Sequence, residues 1–432
     1  MKHTIFALAS AQGRAGVSVI RLSGADALAA VSRLTDRTLK PRHAAYASLS
    51  FGGEVIDQAI IIYFPAPHSF TGEDCVELHV HGSRAVLDRL YGLFVDFGLR
   101  LAEPGEFSRR AVENGKIDLT QAEGIADLVD AETEAQRRQA LTQLDGGLRR
   151  RYEGWRGDLV DLLARLEVYI DFPDEDLPDD LSQAILARIG QLRDSLNTAL
   201  AEADRGRQIR EGYRIVILGE PNAGKSSLFN VLLKAEAAIV TPVAGTTRDI
   251  IEAQLRLGPY SVLLYDTAGL RETEEVVERE GIRRARAKAD EADLRIWLVD
   301  AGRPDVPDDM REGDLLVFSK ADLVRGVSRE TPAYVVSTTT GQGIGELVEA
   351  IEQRVTEALS GQTFPAATRE RHRERLLAAR DYLEEALASR LRVPELTAEN
   401  VRMALNSFEA LFGRYDVEGV LDVVFSTFCI GK

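Results

Sequence analysis

The stretch Arg214-Ile-Val-Ile-Leu-Gly219, continuing as Glu220-Pro-Asn-Ala-Gly-Lys-Ser-Ser-Leu-Phe-Asn-Val-Leu-Leu233, decides the fold of the middle of this chain. Apolar, β-branched residues ending at a glycine read as a buried strand, and the run after Lys225 has the apolar spacing of a helix. A strand that turns through glycines into a helix N-terminus is the context a phosphate-binding loop requires. Its glycines let backbone amides turn inward, so Asn222, Ala223, Gly224, Lys225, Ser226 and Ser227 form the expected phosphate cradle. Lys225 can reach the β- and γ-phosphates, and the Ser226 hydroxyl suits magnesium.

Downstream the pattern of buried strand, loop and helix repeats at 262–269 (VLLYDTAG), 294–300 (LRIWLVD), 314–322 (DLLVFSKAD) and 333–337 (AYVVS), which predicts a doubly wound, mostly parallel sheet. Asp266, with Thr267, Ala268 and Gly269, stands at a strand end. It can hold magnesium through water, and the Gly269 amide can sense a γ-phosphate. In Ser319-Lys320-Ala321-Asp322, the Asp322 carboxylate can accept from both N1–H and the 2-amino group of guanine, a pairing adenine cannot offer. GTP is therefore expected over ATP. Gly245-Thr246-Thr247-Arg248-Asp249 supplies Thr247 to magnesium in a switch loop.

These four elements resemble the translation-factor-like GTPases, with departures. The guanine motif usually begins with Asn, whose amide braces the loop and touches the base. Ser319 is shorter, so weaker guanine affinity is expected. Ser337, Thr338 and Thr339 stand where Ser-Ala-Lys or Ser-Ala-Arg is usual, although the Thr338 amide can still reach O6. Leu270 follows Gly269, and an apolar side chain cannot orient an attacking water as glutamine does. Glu274, Glu275, Glu278 and Glu280 come next; one of them could position that water, or all could be solvated surface acids. Asn222 and the 245–248 neighbourhood suggest a monovalent cation held by oxygens in place of an arginine finger.

The flanks read differently. Residues 1–118 mix short β-rich runs at 17–24, 58–64 and 75–82 with a helix at 83–98, which predicts an α+β domain. From Thr120 apolar residues recur three and four apart in long amphipathic stretches, interrupted by the acidic turn 171–178, and the pattern returns after Pro365. The expectation is a GTPase domain (212–361) inserted into a helical domain (119–211 and 362–432), after an N-terminal domain (1–118).

The chain has 432 residues and a net charge of −16, while residues 1–118 hold 13 basic and 13 acidic side chains, so all the net acidity lies beyond them. Generic adhesion to nucleic acid is disfavoured, and any RNA contact must use local basic patches or a partner. Two cysteines, Cys75 and Cys429, cannot make a disulfide framework or a zinc site, which favours a reducing compartment. No apolar run approaches ~18 residues, and the first twenty residues lack a cleavable leader pattern. A cytoplasmic protein is expected, without membrane contact.

Taken together, 13–24 (GRAGVSVIRLSG), 69–82 (SFTGEDCVELHVHG), 104–128 (PGEFSRRAVENGKIDLTQAEGIADL), 169–178 (YIDFPDEDLP), the GTPase motifs and the ending Phe428-Cys-Ile-Gly-Lys432 are similar to one family over the whole chain, the tRNA modification GTPases MnmE or TrmE. The resemblance implies an N-terminal domain that dimerises and binds a 5-formyl- or 5,10-methylene-tetrahydrofolate through Arg21, Glu77, Lys116 and Lys432. It implies potassium at Asn222, Thr241, Val243 (by its carbonyl) and Thr246, and magnesium at Ser226 and Thr247. Glu278 is implied as the water-positioning residue. It further implies a homodimer, a partner flavoprotein of the MnmG or GidA type carrying FAD, and tRNA as the macromolecule modified.

The residues make sense for a folate, whose pterin offers an N–H and amino edge to a carboxylate such as Glu77, while its glutamate tail suits Lys or Arg. Read alone, Glu77 reads as a cross-strand ion pair, and Arg21 and Lys116 as solvated charges. Cys429, on a glycine-followed tail, is implied by the resemblance to matter for modification, as nucleophile, orienting group or redox group; on its own it reads as a small buried hydrophobe. Cys75 reads as core. His79 and His81 alternate with it like metal ligands but lack a third ligand nearby. The implied activity is GTP hydrolysis coupled to addition of a carboxymethylaminomethyl or aminomethyl group at carbon 5 of a wobble uridine. A ribosome-assembly or RNA-chaperoning switch GTPase is the rival, and it has no use for residues 1–118 as a folate pocket.

Overall fold

The computed structural model describes residues 3–171, 181–235, 251–266, 287–324, 333–361, 363–413, 417–426, 428 and 431. The chain divides into two compact units, Met1–Ala126 with Gln143–Gly190 and Asp381–Lys432, and Asp127–Thr142 with Gln191–Arg380. Among the described residues no helix is long and apolar enough to cross a membrane.

The first unit is built on β1 (Ile5–Leu8), β2 (Ala15–Ser23), β3 (Ala45–Phe51), β4 (Glu54–Phe64), β5 (Cys75–Gly82) and β6 (Arg100–Leu101). They form one sheet in the order β3-β4-β5-β2-β1-β6, antiparallel except where β6 joins β1. Side chains alternate between its faces. Ile20 and Leu22 of β2, Leu78 and Val80 of β5 and Ile61 of β4 bury one face with Val31, Leu90 and Phe94 of the helices Ala27–Ser32 and Arg84–Asp96. The second helix starts where the Ser83 hydroxyl accepts from the Val86 amide. The opposite face carries Arg21, Glu77 and Ile62 in one cross-strand row, and Val19, His79, Ile60 and Tyr46 in the next.

In the same unit the helix Gly147–Asp171 packs on Pro394–Leu411, with Tyr152 and Trp155 against Phe408 and Phe412, and Arg156 paired to Glu409. The helices Leu119–Asp130 and Val417–Ser426 share a cluster of Leu119, Ala122, Leu421 and Phe425. The amphipathic stretch 120–144 is not one helix: it breaks before Glu134–Leu144, where the Gln136 side chain accepts the amides of Glu132 and Thr133.

The second unit holds β7 (Tyr213–Leu218), β8 (Ile251–Leu257), β9 (Tyr260–Asp266), β10 (Leu294–Asp300), β11 (Leu315–Ser319) and β12 (Tyr334–Val335). Their order is β12-β11-β10-β7-β9-β8, parallel except for β8 beside β9. The helices Lys225–Ala235 and Ile344–Leu359 bury Leu228, Leu232, Leu347 and Ile351 against Ile215, Ile217 and Leu264 of the sheet. This is the doubly wound, mostly parallel sheet expected from the sequence.

Candidate functional site

In such a sheet, ligands bind at the carboxyl ends of the parallel strands, where the order reverses. Here β7 runs into the phosphate loop, β9 ends on Asp266, β11 on Ser319, and β12 leads into Ser337. Gly219 has φ +146°, and a Cβ there would lie 2.1 Å from the Leu298 carbonyl oxygen, so only glycine fits this turn. Asn222 at φ +64° and Gly224 at φ +98° continue the left-handed turn that aims amides into the loop. Asn222, Ser226 and Ser227 are exposed, whereas Ala223 and Lys225 are buried.

The Lys225 ammonium donates to the carbonyls of Gly219 and Glu220 at 2.8 and 2.9 Å. Burial pushes its pKa down, and the charge of the fully buried Asp266 opposes that shift. At the end expected to take the base the Ser337 hydroxyl donates to Asp322 Oδ1 at 2.6 Å and accepts the Thr340 amide, which orients the carboxylate expected to read guanine. Thr338 and Thr339 lie in the turn that follows. Lys320, at φ +57°, pairs with Asp300 at 2.6 Å; its ammonium, then the Gly302 amide, hold the Asp300 carboxyl below the usual carboxylate range.

One expectation is corrected. Ser319 was expected to lose the loop bracing that asparagine supplies. Its buried hydroxyl instead reaches the Ala223 carbonyl at 2.6 Å and the Val299 carbonyl at 3.2 Å. The brace is made by the shorter side chain because β11 brings Ser319 directly beneath the phosphate loop.

The first unit gathers a second cluster on the open face of its sheet. Arg21 Nε and Nη2 reach the same Glu77 oxygen, Oε1, at 3.0 and 2.9 Å, so the cross-strand ion pair is present. The Arg21 guanidinium lies 5.4 Å from the Phe70 ring centre and 5.7 Å from that of Phe107. Lys116 donates to the Pro67 carbonyl at 2.7 Å and its stem lies against Gly72, so it joins the loop that carries Phe70. Gly431 has φ +101° and a Cβ there would stand 2.0 Å from the Leu8 carbonyl oxygen. That close approach sets the C-terminal tail on β1, whose Leu8 pairs with Ile20 beside Arg21. Cys75 is buried in β5 next to Thr71. His81 is clamped by Asp57, with Nδ1 and Oδ1 2.7 Å apart, and among the described residues no three His, Cys, Asp or Glu side chains gather as a metal set.

Thr241, Val243, Gly245, Thr246, Thr247, Thr267, Ala268, Gly269, Leu270, Glu278, Cys429 and Lys432 lie outside the described residues, as do Glu274, Glu275 and Glu280. Sequence reasoning missed Phe70, Phe107 and the Gly431 approach. Phe70 sits in a loop and Phe107 in the first turn of the short helix Glu106–Glu113, neither with a periodic signal that points to Arg21, and a lone glycine near a chain end announces no contact. The donor sets present fit the implied groups in kind. Exposed oxygens of Asn222 and Ser226 suit hard cations, and a carboxylate, an arginine between two rings and a lysine suit a flat, acidic folate.

Residues 4–116 match the family model described as GTP-binding protein TrmE N-terminus, and residues 119–429 match MnmE helical domain. The chain is 50% identical to a tRNA modification GTPase MnmE of Caulobacter vibrioides and 48% identical to that of Phenylobacterium zucineum, each over 100% of both chains. It is 49% identical to that of Rhodospirillum rubrum over 99% of both. The G domain of the T. maritima FeoB iron transporter is matched at 23% identity over 34% of this chain and 99% of that one, with a TM-score of 0.25. Half-identical relatives along the whole length and a family model spanning most of it lead to one conclusion: the chain belongs to the MnmE family of tRNA modification GTPases.

Proposed function

We propose that this GTP hydrolase of tRNA modification is potassium-dependent and works with an FAD-containing MnmG-type flavoprotein. Together they add a carboxymethylaminomethyl or aminomethyl group to carbon 5 of the wobble uridine of certain tRNAs. A tetrahydrofolate, when bound, supplies the one-carbon unit. The observation that supports this reading most is the second cluster: Arg21, paired with Glu77, lies beside the rings of Phe70 and Phe107 on one sheet face, and Gly431 brings the C-terminal tail to the neighbouring strand. A nucleotide switch alone has no use for that arrangement. Glu77 meets the N–H and amino edge of the pterin, Arg21, Lys116 and Lys432 meet its acidic parts, and Cys429 serves the modification as nucleophile, orienting group or redox group.

In the nucleotide site Lys225 holds the phosphates, Asp322 selects guanine, and Ser226 with Thr247 and, through water, Asp266 would hold magnesium. Asn222, Thr241, Val243 and Thr246 would hold potassium, whose charge serves where an arginine finger otherwise reaches. Glu278 positions the attacking water. Hydrolysis does not make the bond to uridine; it drives closing and opening of a cytoplasmic homodimer whose N-terminal domains (1–118) pair, while the 212–361 domains meet through nucleotide.

The direct test is steady-state GTP hydrolysis in potassium and in sodium chloride at matched ionic strength. Sodium is too small to span the same oxygens, so turnover should fall at least tenfold in sodium, about 1.4 kcal/mol in the barrier. Equal turnover in both salts removes the cation from the mechanism.

A further inference from the structure

His79 stands beside the Arg21–Glu77 pair with a polar atom the fold does not use. Its Nε2 is shielded from solvent and has no hydrogen-bond partner. Glu77 Oε2 lies 3.7 Å away, beyond hydrogen-bond reach. Across the sheet His79 is flanked by Val19 on β2 and Ile60 on β4, neither of which offers a side-chain partner. An unpaired buried donor is a cost that calls for an explanation. The use of Glu77 is also lopsided: Oε1 takes both Arg21 nitrogens, and Oε2 is turned toward His79.

We propose that His79 is a positioning residue for Glu77. When the carboxylate turns from Arg21 to the cyclic N–H and amino edge of a ligand, His79 closes the gap and donates to Oε2. This rests on the reading of the face as a folate site and adds which residue orients the recognising carboxylate. Pairing with such an edge needs both carboxylate oxygens in one plane with it. Arg21 does not fix that plane, since its hydrogen bond and its closest charge contact both fall on one oxygen. Released, its guanidinium meets the ligand from between Phe70 and Phe107. Oε2 has two lone pairs and can accept from His79 and the ligand together. The imidazole proton is thereby assigned to Nε2, by the carboxylate beside it.

The test is calorimetric binding of 5-formyltetrahydrofolate to the full-length protein, with the melting temperature of each variant as the control for folding. His79→Leu removes the donor, and affinity should fall about tenfold, the equivalent of one hydrogen bond to a charged group. His79→Gln presents an amide N–H at similar reach and should stay within about threefold of wild type, which mere packing would not predict. Should leucine lower the melting temperature, His79→Phe makes the same comparison with a ring that lacks the donor. Undiminished binding by His79→Leu, or His79→Gln as weak as leucine, overturns the role of His79, provided Glu77→Gln still abolishes binding. If wild type does not bind, or Glu77→Gln binds as wild type does, the folate reading itself fails and takes this inference with it.

Discussion

Ser319 shows how much one atom decides in the nucleotide site. The residue type suggested a missing brace, because serine is shorter than the asparagine usual at the head of this motif. The distance that matters, from β11 to the phosphate loop, depends on the pairing of β10 with both β7 and β11, which no local pattern reports. The hydroxyl bonded to Ala223 and Val299 therefore does the bracing. Ser319→Ala leaves the Ala223 carbonyl unpaired, and loss of ~1 kcal/mol should weaken GDP and GTP about fivefold in equilibrium titrations. Unchanged affinity would mean that the loop holds its shape without the hydroxyl. Ser319→Asn gains no brace, so any tightening by that variant would come from its amide touching the base. Lys225, Asp266 and Asp322, by contrast, were legible from sequence, because each sits at a strand end within a few residues of the pattern that announces it.

At the scale of elements, the helix Glu106–Glu113 begins on a carboxylate that anchors the loop before it. Glu106 accepts the Glu103 amide at 2.9 Å and Arg110 at 2.8 Å, and pairs with Arg100 as well. Burial pushes its carboxyl up, but the Glu103 amide and the two guanidiniums outweigh burial and hold it below the ordinary range. A depressed carboxylate contributes stability that is full above the unfolded value of about 4.3 and is lost as pH falls below it through the folded one. Glu106→Gln should cost roughly 2–4 kcal/mol at pH 7 by leaving Arg110 under-paired. The gap from wild type should narrow in urea melts near pH 3.5, and a gap independent of pH would assign the cost to packing alone. The C-terminal tail makes a second element-scale prediction. Gly431→Ala puts a methyl where the Leu8 carbonyl stands, in a backbone region alanine rarely adopts. Folate affinity should fall about tenfold as the tail lifts, worth ~1.4 kcal/mol, with GTP hydrolysis at the wild-type rate. Unchanged folate binding would separate the tail from that site. Strands β2, β4 and β5 were readable from alternation; β1, four residues long, β6, two residues long, and the antiparallel edge strand β8 were not, since their pairing comes from partners distant in sequence.

For the molecule as a whole, the order of motifs carried more than any one of them. A phosphate loop alone names a nucleotide, whereas the segments at 13–24, 69–82 and 104–128 separate this family from other switch GTPases, and the matches over 4–116 and 119–429 agree with that reading. What stayed hidden were the contacts between segments far apart in the chain. Arg21 meets Glu77 across 56 positions, and Gly431 meets Leu8 across nearly the full length. Neither separation leaves a periodic trace. The central claim is that a guanine-nucleotide site and a folate-type cluster in one chain serve a change at carbon 5 of the wobble uridine. Nucleoside analysis of total tRNA from cells lacking this protein, with and without the wild-type chain restored, tests it most directly. The account predicts loss of the carboxymethylaminomethyl and aminomethyl uridines in the deletion and their return with the wild type; unchanged levels of these nucleosides in the deletion strain would contradict it.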